Sequence, residues 1–159
     1  VVMQMTWPGA PTVYYGDEAG MVGWTDPDNR RSYPWGKQDW ELIEFHKDMI
    51  RIHKKYECFR SGSYKSIASG SHWICYGRFN KKLQAVILIN NRREMLTVDL
   101  PIWQIGILEN ACLKRVIQTT QSTYNVGEVM ERAEDGILHV TVGPQTASVY
   151  IAAKNVEEN

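Results

Sequence analysis

Residues 9–18 read Gly9-Ala-Pro-Thr-Val-Tyr-Tyr-Gly-Asp-Glu18, and residues 23–30 read Gly23-Trp-Thr-Asp-Pro-Asp-Asn-Arg30. The repeated Gly and Pro residues exclude a long helix here and favour one short strand followed by a turn-rich loop. Residues 12–15 have the β-branched and aromatic content of a buried strand, and they are bounded by Pro11 and Gly16. An apolar strand of this kind is typical of a parallel sheet that is buried on both faces.

The next segment changes to a helical period. Apolar residues recur three and four positions apart between residues 38 and 56, which predicts an amphipathic α-helix with a wide apolar stripe. The stripe consists of Leu42, Phe45, Met49, Ile52 and Tyr56. Asp39 lies where a carboxylate can bind free amide groups at the start of this helix. Because one parallel-type strand and one helix cannot bury their own faces, they indicate part of a larger unit.

The rest of the chain predicts short strands. In residues 137–142, for example, apolar and polar residues alternate, as expected for a strand with one buried face. The predicted strands are residues 64–68, 72–79, 83–90, 95–100, 111–119, 127–132, 137–142 and 146–153. The connections with hairpin-like composition are residues 80–82, 91–94 and 134–136. Eight strands separated by turns are typical of an antiparallel β-sandwich.

Composition excludes several functional classes. The 159 residues carry 18 acidic and 18 basic side chains, so no strong net field recruits nucleic acid or an anionic membrane. The longest apolar run, residues 85–89, is far shorter than the ~20 residues that span a bilayer. Cys58, Cys75 and Cys112 are odd in number and widely spaced, which predicts buried thiols rather than a disulfide framework or a zinc site. Since the chain does not begin with Met, a missing signal sequence says nothing about its parent.

The two quoted segments resemble the last barrel strand and the following loop of the α-amylase superfamily (glycoside hydrolase family 13). The resemblance is nearest to its neopullulanase, cyclomaltodextrinase and α-glucosidase-like members. That family carries a pattern close to G-x-P-x-x-Y-Y-G-D/Q-E, followed by G-x-x-D-P-x-x-R, and residues 9–18 and 23–30 match both. The matching region covers roughly the first third of the chain. The predicted β-module matches the family's C-terminal domain by position and class.

The resemblance implies a mainly β fold in two parts. A C-terminal antiparallel β-sandwich, like domain C of amylases, would be preceded by the last strand, loop and helix of a (β/α)8 barrel. Residues 1–57 would be this remnant of the catalytic barrel, and residues 58–159 would be the sandwich domain. The active site of such a barrel lies at the C-terminal ends of its strands.

The resemblance also implies the chemistry of the parent. Family members are retaining hydrolases of α-glucosidic bonds that use one carboxylate as nucleophile and another as acid/base. The family takes these residues from barrel strands upstream of this segment, and none of their motifs is present here. No residue of this chain is therefore assigned a catalytic role, and the isolated C-terminal fragment is predicted to be inactive.

Asp26 and Arg30 are the candidate substrate-binding residues. Both match family positions that hydrogen-bond the hydroxyls of a donor-side glucose unit, and their chemistry suits that task because a carboxylate accepts and a guanidinium donates. The alternative is an Asp–Arg ion pair that only holds a long loop together. Trp24 flanks Asp26, so its ring is the aromatic candidate for stacking on a sugar.

Other side chains of the first segment have structural interpretations. Asp17 and Glu18 are expected to point to opposite faces of an extended chain, with Glu18 as a structural hydrogen-bonding residue. Trp35 is expected to pack in a core rather than on sugar. His46 and His53 are too far apart in sequence for an H-x-x-x-H metal pair and are expected in a core or an interface. The aromatic residues expected in the core of the sandwich are Trp73, Tyr76, Trp103 and Tyr124.

The expected partner is an α-glucan oligosaccharide, bound by the complete enzyme, with no nucleic acid and no membrane. The sequence predicts no metal site or cofactor in this chain and leaves calcium in the parent open. Two alternatives are a non-catalytic β-sandwich that stabilises the barrel or mediates association, and a weak carbohydrate-binding module. The exposed barrel strand and helix predict a homo-oligomer, in which they would be buried. A cytoplasmic location is expected from the free thiols and from the intracellular habit of neopullulanase-like relatives.

Overall fold

The computed structural model describes residues 1–152. Its α-helices are α1 (Val2–Thr6), α2 (Trp40–Lys55) and α3 (Cys58–Ser61). Short 3-10 helices cover Asp17–Ala19, Asp28–Arg30 and Ile102–Ile105. Within the described residues, no helix is both long enough and apolar enough to span a membrane.

Eight strands follow the helices. They are β1 (Ser63–Gly70), β2 (Trp73–Phe79), β3 (Gln84–Asn90), β4 (Leu96–Pro101), β5 (Cys112–Thr119), β6 (Tyr124–Arg132), β7 (Ile137–Val142) and β8 (Thr146–Ala152). Each of the eight predicted strands is confirmed, with ends that differ by a few residues at most. Ala153, the last residue predicted in the eighth strand, lies outside the described residues.

The strands form two antiparallel sheets. The large sheet has the order β1-β2-β3-β8-β5-β6, and the small sheet pairs β4 with β7. The predicted antiparallel β-sandwich is confirmed, because the two sheets enclose a common core. Buried side chains of that core include Val86 and Leu88 from the large sheet and Leu100, Leu138 and Val140 from the small one.

The large sheet is buried on its other face as well. In β2, Cys75 points towards the small sheet, whereas Tyr76 packs in a second core formed with the helices. We call these the sheet face and the helix face of the large sheet. The central strands β3 and β8 are apolar on both faces, as expected for strands covered on two sides. The fold therefore has three layers: helices, large sheet and small sheet.

Helix α2 forms much of the helical layer. Met49 and Ile52 are buried against the helix face, so the predicted amphipathic stripe is confirmed. Asp39 is the N-cap: its Oδ1 accepts a 2.9 Å hydrogen bond from the Leu42 amide, as predicted from its position. His46 is also buried, in agreement with its expected place in a core.

The predicted strand at residues 12–15 is not formed. This stretch has no regular secondary structure, and Val13, Tyr14 and Tyr15 are exposed. The physical reason is that a parallel strand needs neighbouring strands to satisfy its backbone groups, and the described chain places none beside it. The five-residue helix α1 was not predicted.

Two of the three predicted hairpins are also wrong. Residues 80–82 do join the paired strands β2 and β3, but residues 91–94 lead from the large sheet to the small one. Residues 134–136 make the same kind of crossing between β6 and β7. Turn composition predicts that the chain reverses its direction, and a reversal serves equally well to change sheets at the edge of a sandwich.

Two of the three thiols are buried as predicted. Cys58 and Cys75 are inaccessible, and burial raises the pKa of the Cys58 thiol to about 11. Burial raises the pKa of Cys75 too. Cys112 is exposed at the start of β5, so its predicted burial is wrong. Of the sandwich aromatics, Tyr76 is buried as expected, whereas Trp103 is 59% exposed.

Candidate functional site

Asp26 and Arg30 lie together on the exposed loop formed by residues 24–31, called loop 24–31 below. A 3-10 turn at Asp28–Arg30 brings the two side chains to one side of the loop. Arg30 Nη2 donates to Asp26 Oδ2 at 2.6 Å. The Arg30 and Asp26 side chains are 64% and 63% exposed, so the pair faces solvent with much of its hydrogen-bonding capacity accessible.

A second ion pair holds the loop in shape. Arg31 donates from Nε and Nη2 to the two carboxylate oxygens of Asp28, at 2.7 and 2.9 Å. The same Asp28 accepts a 3.1 Å hydrogen bond from the Trp24 amide, and Tyr15 Oη donates to the Arg31 carbonyl at 2.9 Å. The hydrogen bond from Arg31 is the main reason why the pKa of Asp28 is lowered.

Sequence reasoning missed Asp28 and Arg31. The signal that would have found them is their i, i+3 spacing, which suits a single helical turn, beside the i, i+4 spacing of Asp26 and Arg30. Asp28 and Arg31 already stabilise the backbone conformation of the loop. The ion pair between Asp26 and Arg30 is therefore not required for that purpose. This division of roles favours a task for Asp26 and Arg30 outside the loop itself.

Two exposed aromatic residues lie in or close to loop 24–31 in the sequence. Trp24 is 83% exposed, as its role as a stacking candidate requires. Trp35 is 81% exposed, so its expected core position is wrong; its ring centroid lies 4.6 Å from that of the half-buried Tyr33. Burial, together with the nearby Glu18 carboxylate, raises the pKa of Tyr33.

Glu18 supports the backbone behind this loop. Its Oε2 accepts a 2.9 Å hydrogen bond from the Gly16 amide, in keeping with the structural role expected for it. The expected extended geometry at Asp17 and Glu18 is wrong, because both lie in the 3-10 helix Asp17–Ala19. Gly16 has φ of +92°, a conformation that Gly adopts without the steric cost other residues incur.

An indentation of about 160 Å³ lies between this turn and loop 24–31. It is lined by Tyr14, Tyr15, Met21, Val22, Asp28 and Asn29, among others. The surface therefore combines apolar and polar groups next to the Asp26–Arg30 pair. In residues 1–152, no cluster of three or more His, Cys, Asp or Glu side chains is arranged to hold a metal ion.

Known relatives are similar to parts of this chain. No protein-family profile matches it. An amylopullulanase of Thermoanaerobacter thermohydrosulfuricus is 39% identical over 77 residues, which is 48% of this chain and 5% of the relative. A cyclomaltodextrinase of Geobacillus thermopakistaniensis is 32% identical over 116 residues, which is 67% of this chain and 20% of the relative.

A solved structure matches almost the whole chain. The α-amylase of Geobacillus thermoleovorans, crystallised in complex with acarbose, superposes with a TM-score of 0.82 and 26% identity. The match covers 98% of this chain and 32% of the amylase. The resemblance to the α-amylase superfamily is confirmed. The extent of the match is consistent with a C-terminal piece of such an enzyme, and the chain spans about a fifth or less of the length of the two curated relatives.

The superfamily relationship agrees with the confirmed fold class. An antiparallel β-sandwich follows loop 24–31 and helix α2, and the division into a barrel remnant at residues 1–57 and a sandwich domain at residues 58–159 stays a prediction. The curated relatives are named for their action on α-glucans. The roles of Asp26, Arg30 and Trp24 towards a substrate are not part of these comparisons and stay predictions.

Proposed function

We propose that this chain is the C-terminal part of a retaining α-glucan hydrolase and supplies one wall of its donor-side substrate pocket. Asp26 and Arg30 would hydrogen-bond hydroxyl groups of one glucose unit, and Trp24 would stack on the flat face of a ring. The β-sandwich would serve as the scaffold on which this wall stands. The proposal extends the activity named for the relatives to the parent of this chain.

One observation carries the proposal: the Asp26–Arg30 pair is exposed while the neighbouring Asp28–Arg31 pair already braces the loop. An exposed ion pair of this kind contributes little to folding, on the order of 0–1 kcal/mol. Its geometry nevertheless suits a sugar. The guanidinium has five N–H donors, and the carboxylate keeps acceptor sites for the hydroxyls of one pyranose.

The chain by itself should not turn over substrate. Retaining hydrolysis requires two carboxylates about 5–5.5 Å apart on either side of the scissile bond. The family draws both from strands upstream of the residues that this chain matches. Binding without those groups can orient a sugar, but it supplies neither the nucleophile nor the proton for the leaving oxygen.

Activity tests the proposal directly. The complete open reading frame around this segment would be expressed and assayed on pullulan, cyclodextrin and maltotriose, beside the 159-residue chain. We expect hydrolysis of at least one α-glucan by the long form and none by the short form. Inactivity of the long form on all three substrates, or turnover by the short form, would contradict the proposal.

Substitution of Arg30 tests the role of the loop. In the complete enzyme, Arg30→Ala should raise KM for maltooligosaccharides about tenfold or more, because charge-assisted hydrogen bonds contribute roughly 1.5–3 kcal/mol each. The matched control is Arg51→Ala: Arg51 is 66% exposed and pairs with Asp48 on α2, far from the loop in sequence. Equal KM values for the two variants would show that Asp26 and Arg30 stabilise the loop and do not bind substrate.

A second candidate function is the stabilisation of the barrel by the sandwich. The observation that favours it is the packing of α1, α2 and α3 on the helix face of the large sheet. This role is compatible with the first, and Arg30→Ala separates them, because a purely structural module would leave substrate affinity unchanged. A weak, separate carbohydrate-binding role for the sandwich would appear as affinity of the isolated chain for maltooligosaccharide.

Self-association of the isolated chain stays a prediction. Val13, Tyr14, Tyr15, Val22 and Trp24 expose apolar area on the segment that would contact the rest of a barrel. Light scattering during gel filtration of the 159-residue chain checks the prediction. We expect a dimer or larger species whose fraction grows with concentration, whereas a monomer at all concentrations would contradict it.

A further inference from the structure

Arg78 is buried without an acidic partner among the described residues. It lies on β2, is only 1% exposed, and points to the helix face with Tyr76. Its Nη1 donates to the Thr6 carbonyl at 2.7 Å and its Nη2 to the Gly62 carbonyl at 3.0 Å. Burial of a charge is costly unless its hydrogen bonds are made, so a guanidinium kept here for two carbonyls requires an explanation.

The carbonyl that Arg78 binds belongs to the end of α1. Thr6 is fully buried, and its hydroxyl lies 2.6 Å from Tyr76 Oη on the same strand as Arg78. From the other side, His53 of α2 donates from Nδ1 to the Met5 carbonyl at 2.7 Å. Polar groups of two elements thus hold adjacent carbonyls of one short helix.

The next residue is held by aromatic packing. Trp7 lies against Tyr76, with ring centroids 5.1 Å apart in an edge-on arrangement, and against Tyr64, at 4.9 Å. Beyond Trp7 the chain has no regular structure until the 3-10 helix Asp17–Ala19. The path of residues 8–15 is therefore fixed by the contacts at residues 5–7, by a hydrogen bond from Gln4 Nε2 of α1 to the Thr12 carbonyl, and by the turn that follows.

The far end is tied to the helical layer. The Asp39 amide donates to the Ala19 carbonyl at 3.1 Å, just before α2 begins. Loop 24–31 belongs to the stretch of chain between Ala19 and Asp39, and the Tyr15 hydroxyl contacts the loop directly by donating to the Arg31 carbonyl. A shift of residues 5–7 would therefore move the segment whose Tyr15 contacts the loop.

We propose that Arg78 is a positioning residue of the sugar-binding wall: from β2 of the large sheet, it fixes where residues 8–15 leave α1 and so where loop 24–31 stands. The proposal rests on the proposed function of that loop. Only a forked side chain suits the task, because Nη1 and Nη2 bind carbonyls on two different elements. A lysine has one compact ammonium group and cannot reproduce this fork.

Amide hydrogen exchange in the 159-residue chain tests the anchor without any sugar. The Met5 and Trp7 amides donate within α1, at 2.9 and 2.8 Å, and report its opening. In Arg78→Lys we expect these amides to exchange about tenfold faster or more, while amides of β3 and β8 keep their rates. The control is Arg115→Lys on β5, where the arginine pairs with Glu131 at 3.3 Å.

Unchanged exchange rates of the Met5 and Trp7 amides in Arg78→Lys would contradict the claim that Arg78 anchors α1. An equal increase in the exchange rates of the β3 and β8 amides would also contradict it, because the effect would then be global. If Arg78→Lys does not fold, Arg78→Met provides the same test, because it removes both hydrogen bonds to the Thr6 and Gly62 carbonyls and leaves an apolar side chain in the buried site. We then expect faster exchange confined to α1. Protection equal to that of the unmodified chain would overturn the proposal.

Kinetics of the complete enzyme test the positioning step. Arg78→Lys should raise KM for maltooligosaccharides about threefold or more, with kcat within twofold, and Arg115→Lys should change neither. If Arg30→Ala raises KM but Arg78→Lys does not, the positioning role is wrong and the proposed function stands. If Arg30→Ala has no effect, the proposed function fails, whereas the exchange result still decides whether Arg78 anchors α1.

Discussion

The segment that carries the family motifs and the sheet that follows it differ sharply in burial. Among residues 1–152, sixteen large apolar side chains are exposed, and nine of them lie within the first 40 residues. In β3, by contrast, Val86, Ile87 and Leu88 are fully buried. Both regions are rich in apolar residues, so composition does not separate them. What separates them is strand pairing: β3 is hydrogen-bonded to β2 and β8, whereas the described residues place no strand beside residues 12–15.

The largest contrast should appear on truncation of a side chain in each region. Leu88→Ala in the core between the sheets should lower the free energy of unfolding by about 3 kcal/mol, from lost burial and a cavity. Trp35→Ala, at an exposed position, should change it by less than about 0.5 kcal/mol. Urea denaturation measures both. Similar losses would mean that the first segment is as well packed as the sheet.

The second largest difference between the two regions should appear at alkaline pH, where ionisation of buried side chains lowers the free energy of unfolding. Burial raises the pKa of Tyr76 to about 12, from an ordinary value near 10. The stabilising contribution of its neutral form is complete below pH 10 and is lost as pH rises towards 12, because the unfolded chain releases that proton first. The loss should reach about 2–3 kcal/mol. The Cys58 thiol adds a loss of the same sign between pH 9 and 11.

Unfolding by urea between pH 8 and 11.5 measures this dependence. Tyr76→Phe should flatten the decline above pH 10, and the slope that remains should come from the other groups whose pKa is raised, chiefly the thiols of Cys58 and Cys75 and the phenols of Tyr124 and Tyr150. Tyr14→Phe serves as the control, since Tyr14 is 55% exposed in the first segment. If Tyr14→Phe flattens the pH dependence of the free energy of unfolding and Tyr76→Phe does not, the alkaline loss of stability comes from the first segment and not from the core.

The junction between the two regions should show a smaller effect. Asp39→Ala removes the N-cap of α2 and should cost about 1 kcal/mol of stability. Asp39→Asn should recover most of it, because Asn caps helices about as well as Asp. Thermal unfolding followed by circular dichroism compares the three proteins. No difference between Asp39→Ala and the unmodified chain would show that the capping hydrogen bond to the Leu42 amide is dispensable.

The smallest effect is expected in loop 24–31. Asp26→Asn should change the free energy of unfolding by no more than about 0.5 kcal/mol, because the ion pair with Arg30 is exposed. Asp28→Asn disturbs the bracing pair and should cost more than Asp26→Asn. Urea denaturation at low salt ranks the two variants. If Asp26→Asn lowers the free energy of unfolding by more than about 1 kcal/mol, the result would favour the alternative in which the Asp26–Arg30 pair only holds the loop together.

The sequence was sufficient to predict the elements that find their partners within the chain. The alternation in residues 137–142 and the helical stripe through Met49 and Ile52 both appear as predicted, because each period specifies one buried face. Residues 12–15 have an equally clear strand composition but remain exposed. Local composition expresses a preference, and hydrogen bonds from neighbouring strands are needed to realise it.

The candidate site was predicted in part. The pair Asp26–Arg30 was found from motif spacing, and its 2.6 Å contact follows from one helical turn. The bracing role of Asp28 and Arg31 was missed because it depends on the Trp24 amide and the Tyr15 hydroxyl, which the turn brings into place. The sequence contained no indication of the role of Arg78, because an arginine in a strand is common. Its role depends on the tertiary contact that brings the Thr6 carbonyl to its guanidinium group.

The place of β8 in the large sheet has a consequence for synthesis. This strand follows all the others in the chain, yet it lies between β3 and β5. While the ribosome makes residues 1–145, β1-β2-β3 and β5-β6 can pair only as two separate ribbons, each with an open edge. Thr146–Ala152 joins them and completes the surface on which α1 and α2 rest. Helices α1 and α2 precede β8 in the chain, so their packing surface stays incomplete until β8 is made, and until then the nascent chain exposes strand edges that chaperones can bind.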